Sequence, residues 1–224
     1  SYELNNKKAP FDNVNVRKAL NLSLDRNVIT DKVLGQGQTP TYVFTPTYIE
    51  EGHLIQQPAY SKEPMAQRNE EAIKLLEEAG YSKANPLKFS ILYNTNENHK
   101  KVAIAAASMW KANTKGLIDV KLENQEWKTY IDNRRAGRYD AARAGWNADY
   151  NQATTFGNYF LSNSSNNTAK YANPEYDKAI AESYVATDAE GRAKAYAKAE
   201  EILAKDFGIV PIFNYVNPRL VKPY

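Results

Sequence analysis

The stretch RAGWNADYNQ, residues 143 to 152, places a guanidinium, an indole and a carboxylate within seven residues. Arg143 could receive an anion, Asp149 an ammonium, and Trp146 could line an amphipathic pocket. Such a set suits holding a small molecule by both charged ends without reacting with it. Further candidates stand apart in the chain: Arg134 and His99 could answer a carboxylate, and Trp127 could supply a second aromatic wall. Each has a plainer alternative on local sequence. Asn147-Ala148-Asp149-Tyr150-Asn151 is turn-forming material. Arg134 beside Arg135 could be a solvated helix face, His99 a surface residue, and both tryptophans core.

Reactive chemistry finds less support. The chain has no cysteine, which excludes disulfides, Cys-zinc sites and thiol catalysis. Its two histidines are His53 and His99, and no G-x-S-x-G elbow is present. Glu50-Glu51-Gly52-His53 gathers metal-type ligands, but in a loop with no second histidine nearby. Gly35-Gln36-Gly37 closes a helix where a dinucleotide fingerprint would open one. No metal and no cofactor are therefore expected. The 29 basic and 26 acidic side chains are interspersed, so no nucleic-acid footprint stands out. No apolar run approaches the roughly 18–20 residues needed to span a bilayer.

Alternating helices and strands must position these side chains. Tyr2 and Leu4 alternate with polar neighbours as in a strand. Apolar residues at helical spacing predict one helix over 14–34, ended by Gly35 and Gly37. A proline-punctuated loop of roughly 30 residues follows, without a period, and loops that long tend to be functional. Helices are predicted over 69–79 and 99–113, a short basic one from Glu126, and others over 174–185 and from a Thr187-x-x-Glu190 capping box to about Lys205. Strands are predicted over 87–93, 118–122, 139–146 and 209–215. SNSSNNT, 162–168, reads as an exposed loop. The class is α/β, or mixed α+β, in one domain. The opening and closing residues read like the interior of a larger protein, so a fragment is expected.

The same stretch also carries a resemblance. RAGWNADYNQATTF, with NQEWKTYIDNRRAGRYDAARAGW before it and YVNPRLVKPY at the end, closely resembles the oligopeptide-binding proteins of bacterial ABC importers, extracellular solute-binding protein family 5. APFDNVNVRKALNLSLDRNVI, RNEEAIKLLEEAGY, LYNTNENHKK and LSNSSNNTAKY extend the match over essentially all 224 residues. The resemblance implies that 1–224 is the large C-terminal lobe of a two-lobed periplasmic-binding-protein fold, with the N-terminal lobes absent. It implies a non-enzymatic monomer that binds short peptides in extended form and delivers them to an inner-membrane ABC permease. The implied location is the periplasm, or the outer face of the cell membrane as a lipoprotein.

Carried over residue by residue, the resemblance gives Asp149 the peptide ammonium, and Gly145 and Asn147 the main-chain contacts beside it. Arg143 and Trp146 become pocket residues, as does Trp127. Arg134, Arg143 and His99 meet the peptide carboxylate for different lengths, and Tyr215 is a site tyrosine near the closing strand. Two positions depart from the pattern: Leu34 stands where relatives have a lysine, and Asn147 where they have a cysteine. Leu34 keeps open a relative tuned to one ligand, such as a cell-wall peptide or haem. A peptidase or chaperone on the same fold is the alternative from another class.

Overall fold

A computed structural model describes residues 1–216; the final segment of the resemblance, NPRLVKPY at 217–224, lies outside the described residues. In chain order the strands are β1 (Tyr2–Leu4), β2 (Thr39–Pro40), β3 (Leu87–Asn94), β4 (Ile118–Gln125), β5 (Ala141–Arg143), β6 (Ile209–Val210) and β7 (Phe213–Asn214). The helices are α1 (Val14–Leu22), α2 (Arg26–Val28), α3 (Met65–Glu78), α4 (Glu97–Asn113), α5 (Trp127–Arg135), α6 (Thr154–Gly157), α7 (Pro174–Val185) and α8 (Ala189–Asp206). Five strands form one mixed sheet in the order β4-β3-β5-β1-β6, and β2 pairs with β7 in a separate ribbon.

The run β3-α4-β4-α5-β5 makes the parallel half of the sheet, and β1 joins β5 and β6 antiparallel. Alternation along β3 explains its central place. Ile91 packs with Leu20, Trp110 and Ala141 on one face, while Leu92 packs with Tyr130 and Ala142 under α5 on the other. The Trp110 indole N–H donates to the Leu20 carbonyl at 2.9 Å, so its one polar atom is satisfied inside the core. Truncating Leu20 or Ile91, each fully buried, to alanine would cost about 2–5 kcal/mol. A third cluster joins Phe156, Tyr159 and Phe160 to Tyr176 and Ile180 of α7 and Tyr196 and Leu203 of α8.

Several boundaries differ from expectation. The helix over 14–34 is broken at 23–25: the Ser23 hydroxyl donates back to Ala19 O at 2.7 Å, and Asp25 caps a new start by accepting from Val28 N at 3.2 Å. The apolar spacing hides this break because Leu24 within it and Ile29 beyond it are both buried. Past α2 the backbone widens into a π-type turn, Ile29–Leu34, ended by Gly35 in the left-handed conformation. Its last residue, Leu34, packs against the main core. The cap of α8 is Asp188, which accepts from Gly191 N at 2.6 Å, one residue after the expected Thr187. The strand over 209–215 is interrupted by Pro211, which has no N–H for a ladder. The 162–168 loop is exposed only in part, since Asn167 and Thr168 are buried.

Candidate functional site

Where β5 ends, the chain runs on without regular structure through 144–148 and lines a groove of about 460 Å³. The groove takes Val43, Phe44, Tyr48 and Ile49 from the loop after β2, His99 and Val102 from α4, and Ile212, Phe213 and Tyr215 from the closing strands. Ala144 N still bonds Ser1 O at 2.9 Å, and Asp149 N meets Thr155 Oγ1 at 3.3 Å. Between them, among the described residues, the N–H and C=O groups of 145–148 have no backbone partner. Among the described residues this is a short run of unpaired main chain beside apolar walls.

Of the nine residues singled out in the sequence, the groove brings together six: Arg143, Gly145, Trp146, Asn147, His99 and Tyr215. Arg143 donates through Nη2 to the Tyr215 hydroxyl and through Nη1 to Asn94 Oδ1 at 3.5 Å. Gly145 is needed where these meet. A Cβ there would overlap the Tyr215 hydroxyl and lie 2.8 Å from Arg143 Nη2. His99 sits in the first turn of α4, its N–H accepted by the capping Asn96 Oδ1 at 3.1 Å. Burial, then the neighbouring Arg143 charge, lower its pKa to about 4. At neutral pH it therefore offers a hydrogen bond, and Arg143 is the cation of this wall.

Three residues stand elsewhere. Asp149 is exposed just beyond the lining, between Ala148 and Tyr150, which do line the groove. Trp127 is also exposed, its ring 5.5 Å from that of Tyr130. Arg134 corrects the expectation of a free cation: it is buried and already paired, Nη2 lying 3.2 Å from Glu3 Oε1 and 3.0 Å from the Tyr159 hydroxyl. A buried guanidinium without such partners would be costly, so the pair is held together rather than offered to a ligand.

Sequence reading missed the supports. Tyr130 donates its hydroxyl to Arg143 O and receives Arg134 Nη1 at 3.2 Å, which fixes the last carbonyl of β5. Trp146 is held edge-on by the Tyr159 ring at 5.2 Å, and its Nε1–H reaches Thr155 Oγ1 at 3.4 Å. The opposite wall hangs on Glu200 of α8, whose carboxylate accepts from Phe44 N at 3.2 Å and Thr45 N at 2.6 Å. Burial raises the Glu200 pKa, and the two N–H donors oppose that rise. The missed wall, 41–49, had one available signal: Tyr42, Phe44 and Tyr48 crowd an aperiodic, proline-flanked loop.

An α/β fold with unpaired main chain along a groove is the architecture of a solute-binding class of protein. Residues 1–168 match the family described as "Bacterial extracellular solute-binding proteins, family 5 Middle", and the chain belongs to that family. It is 97% identical over 224 residues to the periplasmic oligopeptide-binding protein OppA of Haemophilus influenzae, spanning 41% of that protein. It is 53% identical over 223 residues to the Salmonella typhimurium protein of the same name, spanning 40% of it. A crystal structure of Haemophilus influenzae OppA in complex with RPPGFSPFR superposes with a TM-score of 0.97 at 96% identity, covering 100% of this chain and 44% of that one. The Escherichia coli murein tripeptide binding protein MppA superposes with a TM-score of 0.91 at 43% identity, covering 99% and 43%. The mixed α/β fold is thus that of these substrate-binding proteins, and the chain spans about two fifths of their length.

Proposed function

We propose that this chain is one lobe, the C-terminal one, of a peptide-binding protein that captures short peptides in extended form for an inner-membrane ABC permease. The carrying observation is the unpaired main chain at 145–148 beside Arg143. A peptide laid along it would gain main-chain hydrogen bonds that any sequence supplies, the strand-addition mode of recognition. Arg143, assisted by neutral His99, would receive the peptide carboxylate, and Asp149 at the rim would receive its ammonium. The apolar faces of Phe44, Trp146 and Phe156 would take side chains. The relatives are named as binding proteins, which supports a role in binding without turnover. The names of the relatives support a periplasmic location.

Exposed as it is here, Asp149 would pair only weakly. A second lobe closing over the groove would remove water from the pair, and an unpaired charge would then cost several kcal/mol. Calorimetric titration of the full-length parent with an unblocked tripeptide, its N-acetylated twin and an Asp149→Asn variant tests this. Tight binding lost on either change supports the assignment. Binding indifferent to acetylation removes Asp149 from the ammonium site, and no binding at all removes the peptide reading.

A further inference from the structure

We propose that Tyr159 is the strut that sets the width of the groove, and with it which side chains the groove prefers; this rests on the peptide-binding reading above. Tyr159 lies in a 3-10 turn, Asn158–Phe160, buried behind the groove rather than among its lining residues. Its ring touches both walls from behind. Phe44, from the loop after β2, lies 5.1 Å away by ring centroids, and Trp146, from the segment after β5, lies 5.2 Å away. Those two walls come from parts of the chain 102 residues apart, 146 less 44, and Tyr159 packs against an aromatic ring of each.

The ring is also fixed against sliding. Phe160 packs on it at 4.8 Å, and its hydroxyl donates to Glu3 Oε1 at 2.7 Å while receiving Arg134 Nη2 at 3.0 Å. Glu3 sits in β1 opposite Ala142 of β5, so the anchor is the sheet itself. The Phe44 backbone is held by Glu200 through its N–H, and the Trp146 indole N–H is held by Thr155. Close-packed aromatic contacts of this kind do not compress. The spacing between Phe44 and Trp146 therefore follows the thickness and tilt of one phenol ring.

The test is a ratio of affinities. Full-length protein, wild type and variants, is titrated with unblocked Ala-Xaa-Ala tripeptides in which Xaa is Ala, Leu, Phe or Trp. Tyr159→Leu removes the strut, and the Trp-to-Ala affinity ratio is expected to shift by about tenfold, the scale of a small change in pocket size. Tyr159→Phe keeps the ring and loses only the hydroxyl, so it should lower thermal stability and leave the ratio as in wild type. If Tyr159→Leu does not fold, Tyr159→Met fills the space with a flexible chain and should shift the same ratio. A uniform loss across all four peptides with Leu or Met would show a merely structural role and overturn the proposal. A ratio shifted equally by Phe would place the effect in the hydroxyl and also overturn it. Silence from wild type itself would mark the failure of the peptide reading, and the strut proposal would fall with it.

Discussion

The Tyr130 hydroxyl on α5 donates to the carbonyl oxygen of Arg143, the last residue of β5. That one bond ties the helix behind the sheet to the point where the chain leaves the sheet and its main chain goes unpaired. Tyr130→Phe leaves the carbonyl without this donor and Arg134 without one acceptor, an expected loss of about 1–3 kcal/mol. Urea denaturation reads it directly. An unchanged midpoint would mean that solvent serves the carbonyl as well as Tyr130 does.

Glu3 and Arg134 form the buried ion pair of this support. Glu3→Gln removes one charge and strands the other, so a destabilisation of about 3–5 kcal/mol is expected. Replacing both by apolar residues of similar volume should recover much of that loss. A double variant no more stable than Glu3→Gln alone would refute the stranded-charge explanation.

His99 gives the site a pH signature. Its pKa in the folded protein is lowered to about 4, by burial first and Arg143 second, against 6.5 ordinarily. Between those values the unfolded chain binds the extra proton. The stabilising difference is therefore complete above about pH 6.5 and is lost as pH falls towards 4. Ring-proton NMR should find His99 titrating at about 4, well below the ordinary 6.5. A peptide carboxylate placed on Arg143 would offset the cation that helps depress His99, so binding near pH 5 should take up a proton. Calorimetry in buffers of different ionisation enthalpy measures that uptake, and His99→Gln should abolish it.

Gly145, by having no side chain, leaves the space in which Arg143 meets Tyr215. Gly145→Ala should displace the Tyr215 ring, which is 40% exposed, at the cost of its bond to Arg143, so the fold survives. Peptide affinity should fall about tenfold, roughly 1.4 kcal/mol, as the groove mouth is rebuilt. Wild-type affinity with an unchanged Tyr215 environment would show that the overlap is relieved some other way.

Glu200 carries the opposite wall. Glu200→Ala leaves the N–H groups of Phe44 and Thr45 without acceptors, and about 2–3 kcal/mol of stability should go with them. Hydrogen exchange should then quicken at Phe44 and Thr45 beyond the change seen in the β-sheet. Equal acceleration everywhere would point to global destabilisation alone.

How legible this was in the sequence varied with the range of the interaction. α3 and β3 could be read because Ala72 and Leu76, or Leu87, Phe89 and Ile91, report burial at a fixed local period. The 23–25 break could not, because Leu24 and Ile29 keep the apolar spacing going while a Ser hydroxyl and an Asp cap end one helix and start another. Arg143, Gly145, Trp146 and Asn147 reach the groove together because they are neighbours along one extended segment. Arg134 was misread since its partner Glu3 stands 131 residues away and leaves no local trace. Phe44 and Tyr159 are positioned by contacts of the same long range, so no periodicity marked them.

The order β4-β3-β5-β1-β6 has a consequence for how the molecule comes together. β5 leads into the unpaired segment, and its neighbour β1 lies at residues 2–4, while β6, which completes β1, lies at 209–210. Contacts that span almost the whole chain are slow to form, because loop closure must precede any reward from pairing. The helices and the β3–β4 pair can assemble from nearby residues. The groove cannot, since it joins the 143–148 segment to Ile212, Phe213 and Tyr215, more than 60 residues further along. The groove is therefore complete only once β1 has paired with both β5 and β6, and its occupancy would report on that long-range closure.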